Sequence, residues 1–430
     1  MQLITLAHTV RAYSRYAQAR LASLFGAKPY RAERAGKRLV MIVWAFPPVV
    51  TGGVYRPLSF AREAALNGWD VTVVCGPVND ANEAGAYLLG QLPDSVKVSR
   101  IEHTDLKPSF RFFPRIDGGL LNALKLFEAA RSATTPESVI LASGPPFCTF
   151  VAGWFTSKVT GARLVLDYRD EWSLCPFDFV TANENDKVWE ARCIAQASLI
   201  LVTTQSFLTH LGRHFPQTSE KAVEVVPNGW NRHDFEVVST QEVGGDLSST
   251  ICYLGYLAGH IAPDEFIATL TRAIAARPDL RSRFTLRFVG KRDPKVQQAF
   301  LDSAIGDCVE FIDQVSKTEA IGMMRQCAAV ILFNPPELDR YIPGKLFDYI
   351  ASGANVLSYG GAGEISKALA DSGKGTSVRS GDAAGLAESI DALISGRHKP
   401  DPGSSDAWLA RHERSAVAQH MLTLLDDTRN

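Results

Sequence analysis

From Arg38 onward, short apolar runs alternate with stretches whose apolar residues recur at three- and four-residue spacing, the pattern of parallel strands covered by helices. RLVMIVWAF (38–46) predicts the first strand; it runs into Pro47 and Pro48, then Thr51, Gly52 and Gly53, and a helix over 55–66 that stops at Asn67 and Gly68. DVTVVC (70–75), SVILAS (138–143), RLVLDYRD (163–170) and runs at 198–203 and 222–226 continue the series as far as PNGWNRHDF (227–235). A second series begins with TICYLGY at Thr250 and continues through FTLRFVG (284–290), CVEFID (308–313), AVILFN (329–334) and NVLSY (355–359). The expected fold class is α/β, with two doubly wound Rossmann-like domains facing each other across a cleft. Core pattern is weakest over VVSTQEVGGDLSS (237–249), which places the hinge there and the domains at 37–236 and 237–405. A polar stretch at 398–405 precedes a final helix over 406–430.

The segment YIPGKLFDYIASGANVLSYGGAGE (341–364) concentrates the chemistry of the second series. Pro343 and Gly344 open a helix, Leu346, Phe347, Ile350 and Ala351 form its apolar face, and Gly353 sits where a left-handed cap belongs. Lys345 and Asp348 are three apart and can project from neighbouring parts of one helix surface. A cation there can meet a phosphate while the carboxylate accepts hydrogen bonds from ribose hydroxyls. After the strand, Gly361 and Gly363 lack side chains where backbone N–H groups could approach a phosphate, and Glu364 closes the turn.

Composition narrows the function classes. A chain of 430 residues, 46% hydrophobic and 21% charged, is globular and suits two cores rather than one. Its net charge of −1 gives no general attraction to nucleic acid, and no nucleic-acid partner is expected. The seven cysteines (75, 148, 175, 193, 252, 308 and 327) form no C-x-x-C pair and read as reduced core residues, which suggests a cytoplasmic protein. The first 36 residues differ from the rest: Arg11, Arg15, Arg20, Lys28, Arg31 and Arg34 stand against one acid, Glu33, interleaved with apolar residues. Such a segment can lie in the headgroup region of an anionic membrane, as a peripheral contact at the inner face, or pack on its own domain.

Ligands of open α/β sheets gather at the carboxyl ends of strands, which brings three more loops forward. In PPVVTGGVYR (47–56), Gly52 and Gly53 would let amides at a helix N-terminus approach an anion and Arg56 adds charge, although Gly-Gly before a helix can equally be a tight connection. SGPPF (143–147) offers shape through Pro145 and Pro146. DYRDEW (167–172) puts four ionisable residues in five positions after RLVL, and such groups must be solvated, paired with one another, or both. Asp170 and Arg169 are candidate catalytic groups; Arg169 can equally pair with Asp167 or Asp170 to hold the loop. His103, after VKVSRIE, is a third candidate.

Together these segments resemble glycosyltransferases of the two-Rossmann-domain (GT-B) architecture, specifically family four of the bacterial polysaccharide-biosynthesis type. Pro343, Lys345, Leu346, Asp348 in place of Glu, Tyr349, Ala351 and Gly353 fill the family's P-x-K-L-x-E-Y-x-A-x-G region. Gly52, Gly53 and Arg56 match its P-x-x-x-G-G-x-x-R loop, Asp167, Arg169, Asp170 and Trp172 its D-x-R-D-x-W segment, and Ser143, Pro145 and Pro146 its acceptor-side S-x-P-P. Two departures stand out: the family's earlier acid falls at Arg340, and Tyr256 stands where an Arg that holds the nucleotide diphosphate would be. The charge then falls to Lys345, with Lys291 and Arg292 as further candidates. The resemblance implies transfer of a sugar from a nucleotide-sugar donor to a glycan or lipid-linked acceptor, with retention of configuration, no cofactor and no obligatory metal. It also implies a last helix that crosses back onto the first domain. No D-x-D motif argues for a metal. A sugar-nucleotide epimerase on the same fold and a catalytically silent nucleotide-sugar-binding partner are the alternatives; no G-x-G-x-x-G follows either first strand to support a dehydrogenase.

Overall fold

Strands that are buried on both faces need helices on both sides of the sheet, and the apolar runs of this chain meet that condition twice. A computed structural model describes residues 2–26, 37–78, 83–102, 115–177, 180, 182–236, 246–257, 263–397 and 402–427. The first sheet contains β1 (Arg38–Ile42), β2 (Asp70–Cys75), β3 (Lys97–Arg100), β4 (Val139–Gly144), β5 (Arg163–Tyr168), β6 (Leu199–Val202) and β7 (Ala222–Val225). All its pairings are parallel, in the order β3-β2-β1-β4-β5-β6-β7. The second contains β8 (Thr250–Leu254), β9 (Thr285–Val289), β10 (Val309–Ile312), β11 (Ala329–Asn334), β12 (Val356–Gly360) and β13 (Gly375–Arg379), again parallel, in the order β10-β9-β8-β11-β12-β13.

Period-two alternation divides each strand between two cores. In β1, Val40 and Ile42 join one apolar cluster with the helices Leu120–Ala133 and Cys148–Thr160, while Leu39 and Met41 join another with Phe60, Ala61 and Ala64 of Tyr55–Leu66. The second cluster also takes Val417, Met421, Leu422 and Leu425 from the last helix. The chain accordingly divides into one unit made of Met1–Pro227 with Val417–Asn430 and another made of Asn228–Ala416.

The division falls at Pro227, ahead of the 237–249 stretch where the sequence places the hinge; of that stretch, 237–245 lie outside the described residues. Asn228 onward belongs to the second unit because its backbone is bonded there. Trp230 N–H donates to His412 O (3.0 Å), Arg414 N–H donates to Trp230 O (2.9 Å), and the Trp230 indole donates to Leu409 O (2.8 Å). The same bonds explain why the end of the chain is two helices, Pro402–Arg411 and Arg414–Asp427, rather than the single one expected from residue 406: the backbone at 412–414 is taken by Trp230. Strand β13 has no counterpart in the sequence reading, since GTSVR has no apolar run and is mostly solvent-facing.

A Cβ at Gly229 would lie 2.4 Å from His412 O, whereas one at Gly344 would meet nothing within 4 Å. Gly229→Val is therefore expected to destabilise the protein by about 1–3 kcal/mol in thermal melting, with Gly344→Ala close to neutral.

Candidate functional site

In a doubly wound sheet the loops at the carboxyl ends of the strands part where strand order reverses, and that crevice is where ligands bind. The reversal lies between β1 and β4 in the first unit and between β8 and β11 in the second. The residues singled out by the sequence lie after these strands or on the helices and strands beside them.

In the first unit, Asp167 is fully buried inside β5, and such a charge requires a partner. Arg56 supplies it from helix Tyr55–Leu66: Nε lies 3.1 and 3.2 Å from the two carboxylate oxygens, and a terminal nitrogen lies 2.7 Å from Oδ1. Ser143 Oγ donates to Oδ2 (2.7 Å), and Arg56 also donates to Pro227 O (2.7 Å). Arg56 is only 6% exposed, and its guanidinium lies over the Phe60 ring. The sequence expectation that Arg56 adds charge for an anion is thus corrected. Its donors are spent on fixing the carboxyl ends of β4 and β5.

Arg169 is likewise a brace. Its donors reach Gly144 O (3.1 Å), Gly53 O (2.9 Å) and Pro145 O, tying the Gly52–Gly53 loop to the Pro145–Pro146 loop. A Cβ at Gly53 would stand 2.3 Å from this guanidinium, so Gly53 is there for the arginine, while Gly52 is exposed. The catalytic role expected of Arg169 gives way to positioning. The Pro-Pro loop is also held from below: Asp117 accepts from Phe147 N–H (2.8 Å), and Asp186 accepts from Asp117 N–H (2.8 Å) and the Trp172 indole (2.9 Å). Sequence reasoning missed both acids, although Asn183 and Asp186 carry the spacing of a capping box, which forms here.

Asp170 differs from its neighbours. It is partly buried and accepts no hydrogen bond from the described residues. Burial pushes its pKa up to about 6, with Arg169 pulling it down and Glu171 adding to the rise. Glu171 is buried against His210 Nδ1, a contact not foreseen from sequence. His103 lies outside the described residues.

In the second unit, Lys345 projects from helix Gly344–Ser352 to the end of β8. Its Nζ donates to Tyr253 OH (2.7 Å) and lies 4.0 Å from the centre of that ring, and the Tyr253 hydroxyl passes a hydrogen bond on to Tyr256 O (2.9 Å). Lys345 has no carboxylate partner among the described residues. Burial alone lowers its pKa, to about 7. Gly255 follows at φ +132°, and a Cβ there would lie 3.2 Å from Nζ, so a side chain would crowd the ammonium.

Asp348 shares this helix but not these neighbours. It is raised by burial, with Lys317 and Arg414 lowering it and Asp234 raising it, and its Oδ1 is a buried oxygen without a hydrogen-bond partner. Asn334 Oδ1 at the end of β11 and Asp339 Oδ1 in the following loop are in the same condition. The glycine turn is not the open cradle the sequence suggests. A Cβ at Gly361 would strike the Asp339 carboxylate and one at Gly363 the Asp339 backbone, while Gly361 N–H donates to Asn334 O and Glu364 N–H to Asp339 O. These glycines make room for Asp339. Glu364 is buried and pairs with Lys367 (3.2 Å). Arg292 is occupied by Asp313 (3.0 Å), Gln297 (2.9 Å) and two carbonyls, which removes it as a phosphate ligand; Lys291 is exposed.

Two parallel sheets with these strand orders are those of the GT-B fold. Residues 248–396 match the family model Glycosyl transferases group 1, so the second unit carries a domain of that family and the protein is a glycosyltransferase; the family-four type fits this match. Similar solved structures include a sucrose-phosphate synthase from Thermosynechococcus elongatus (15% identity, 91% of this chain and 98% of that one, TM-score 0.64). Anabaena HepE in complex with UDP and glucose is similar too (16%, 90% and 99%, 0.61). So is a UDP-forming α,α-trehalose-phosphate synthase from Burkholderia vietnamiensis (12%, 91% and 100%, 0.63). At these identities the likeness is one of fold. No curated protein matches the chain by sequence.

Removing one member of the buried pair leaves the other charge unpaired, so Arg56→Ala or Asp167→Ala is expected to cost about 3–5 kcal/mol in denaturant unfolding. Lys345 behaves in the opposite way. Its folded pKa of about 7 lies below the 10.5 of a free lysine, so between those values the unfolded chain holds the extra proton and stability rises with pH. Lys345→Met is expected to raise the melting temperature at neutral pH and to flatten that rise.

Proposed function

We propose that the protein transfers a sugar from a nucleoside diphosphate donor to a hydroxyl of a glycan or lipid-linked acceptor, in the assembly of a cell-surface polysaccharide. Lys345 is the observation that carries this reading: a half-buried cation without an acid beside it among the described residues is arranged for an anion that arrives with the substrate. A diphosphate leaving group is such an anion, and a fixed ammonium stabilises the charge it gains as the glycosidic bond breaks. The buried, unpartnered oxygens of Asn334 and Asp339, at the end of β11 and in the loop after it, support the same reading, because each lacks the donor that a sugar or ribose hydroxyl could supply. Of the similar solved structures, Anabaena HepE is in complex with UDP and the Burkholderia vietnamiensis synthase is UDP-forming, which makes UDP-sugars the first donors to try.

In the first unit we assign Asp170 to the acceptor. With a pKa of about 6 its carboxylate can hold the attacking hydroxyl and take up its proton, while the acceptor oxygen bonds to the anomeric carbon and the C–O bond to the diphosphate breaks. Retention of configuration and independence from metal belong to this proposal through the family resemblance alone. A lipid-linked acceptor would bring the protein to the inner face of the cytoplasmic membrane as a peripheral component. A silent nucleotide-sugar-binding role is the second reading, favoured by Arg292 being occupied and by the exposed Tyr256 where the family carries an arginine.

Calorimetry and transfer assays with UDP-, GDP-, ADP- and TDP-sugars separate these readings. One nucleotide class should bind, Lys345→Met should weaken it at least about tenfold, and sugar should move only when an acceptor is supplied. Turnover should rise with pH through about 6, and Asp170→Asn should lower kcat by about a hundredfold and remove that dependence while leaving donor affinity unchanged. Binding without turnover for any acceptor class would favour the silent role, and turnover of the donor without acceptor the epimerase.

A further inference from the structure

Over residues 9–24 the first helix, Gln2–Leu24, turns apolar residues to both of its sides. Its inward stripe runs through Thr9, Ala12, Tyr16, Ala19 and Ser23 at three- and four-residue spacing, and Thr9, Ala12 and Ala19 are almost completely buried. Ala12, Tyr16 and Ala19 pack on the cluster that includes Phe127, Trp154 and Phe155. The outward stripe, at the same spacing, runs through Val10, Ser14, Ala17, Leu21 and Leu24, with Phe25 following. Val10 is 59% exposed, Leu21 55%, Leu24 71% and Phe25 85%. The large residues that pack inward are Tyr13 and Tyr16, so the exposed leucines and Phe25 take no part in covering the domain.

Charge identifies what covers the outer stripe. The helix contains Arg11, Arg15 and Arg20 and no acid at all. Arg11 and Arg15 are exposed beside the apolar stripe; Arg15 makes only a loose, solvent-exposed contact with Glu128 (3.6 Å), and Arg20 lies over Trp154. A second protein surface would match the leucines equally well, but exposed arginines along their border, met only by the loose Glu128 contact among the described residues, suit anionic headgroups above an acyl layer.

We propose that the outer face of this helix, through Val10, Leu21, Leu24 and Phe25 flanked by Arg11 and Arg15, docks on an anionic lipid surface while its inner face stays bound to the first unit. No helix among the described residues is long and apolar enough to cross a membrane, so the contact lies in the interface plane. The packed inner stripe makes the helix a fixed platform, one that would hold the first unit in a set orientation over the lipid. The proposal stands apart from the donor reading, since vesicle binding needs no nucleotide.

Co-sedimentation of the full chain with phosphatidylglycerol/phosphatidylcholine vesicles, with pure phosphatidylcholine as the comparison, tests it. Binding to the anionic vesicles should be at least about tenfold tighter than to neutral ones and should weaken with salt. Leu24→Glu with Phe25→Glu, and separately Arg11→Glu with Arg15→Glu, should each reduce it by about tenfold or more, with melting temperature and nucleotide binding unchanged. Equal binding by the variants, equal binding to neutral vesicles, or no vesicle binding by the wild-type chain would overturn the proposal. So would a concentration-dependent dimer in light scattering that Leu24→Glu with Phe25→Glu abolishes, because a second copy would then be the occupant.

Discussion

The cost of taking a charge out of water organises both halves of this protein. In the first unit the cost is met internally: Asp167 sits in the middle of a buried strand end, and Arg56, Ser143 and the Pro227 carbonyl close around the pair. Arg169 does the same for the loops beside it, with three backbone carbonyls as acceptors. In the second unit the cost is left standing, with Lys345 held against a tyrosine hydroxyl and no acid. The contrast gives the charged groups different work. Arginines that are fully engaged shape the loops, and the lysine, bonded to a tyrosine hydroxyl and to no acid among the described residues, is the group proposed to meet a substrate's charge.

Around Lys345 the fold supplies the remaining requirements. The strand end closes on Gly255, which leaves the ammonium uncrowded, and Tyr349 fixes β8 by exchanging hydrogen bonds with both backbone groups of Leu254 (3.0 and 3.1 Å). Asp339, Asp348 and Asn334 each leave an acceptor oxygen unused. Buried acceptors without donors are uncommon in a folded chain, and these three lie at the end of β11, in the loop after it and on the helix that carries Lys345. In the first unit Asp170 has a raised pKa and accepts no hydrogen bond from the described residues, and Glu190, also raised, leaves one buried oxygen unpartnered.

Much of this was legible in the sequence, and the failures share a cause. Helix 344–352 could be read because its signals are local: Pro343 before it, an apolar stripe within it, and Gly353 after it at φ +85°. The fate of Arg56 could not, because its partner lies 111 residues away. The same holds for Gly361 and Gly363, which look like a phosphate cradle until Asp339 is seen to fill the space beside them. Edge strand β13 escaped because, facing solvent, it needs no apolar run. The first helix illustrates a milder limit: its basic, apolar composition was plain, but which stripe faced the domain depended on packing against Trp154 and Phe155.

The state of Lys345 is the point on which this account turns, and an NMR titration of its side chain, assigned by comparison with Lys345→Met, addresses it most directly. The free protein should show the ammonium titrating near 7, and a saturating nucleoside diphosphate should move that midpoint upward as the anion takes the place of the missing acid. A free-protein midpoint near the ordinary 10.5, or one near 7 that no nucleotide displaces, would contradict the assignment of this lysine to the donor.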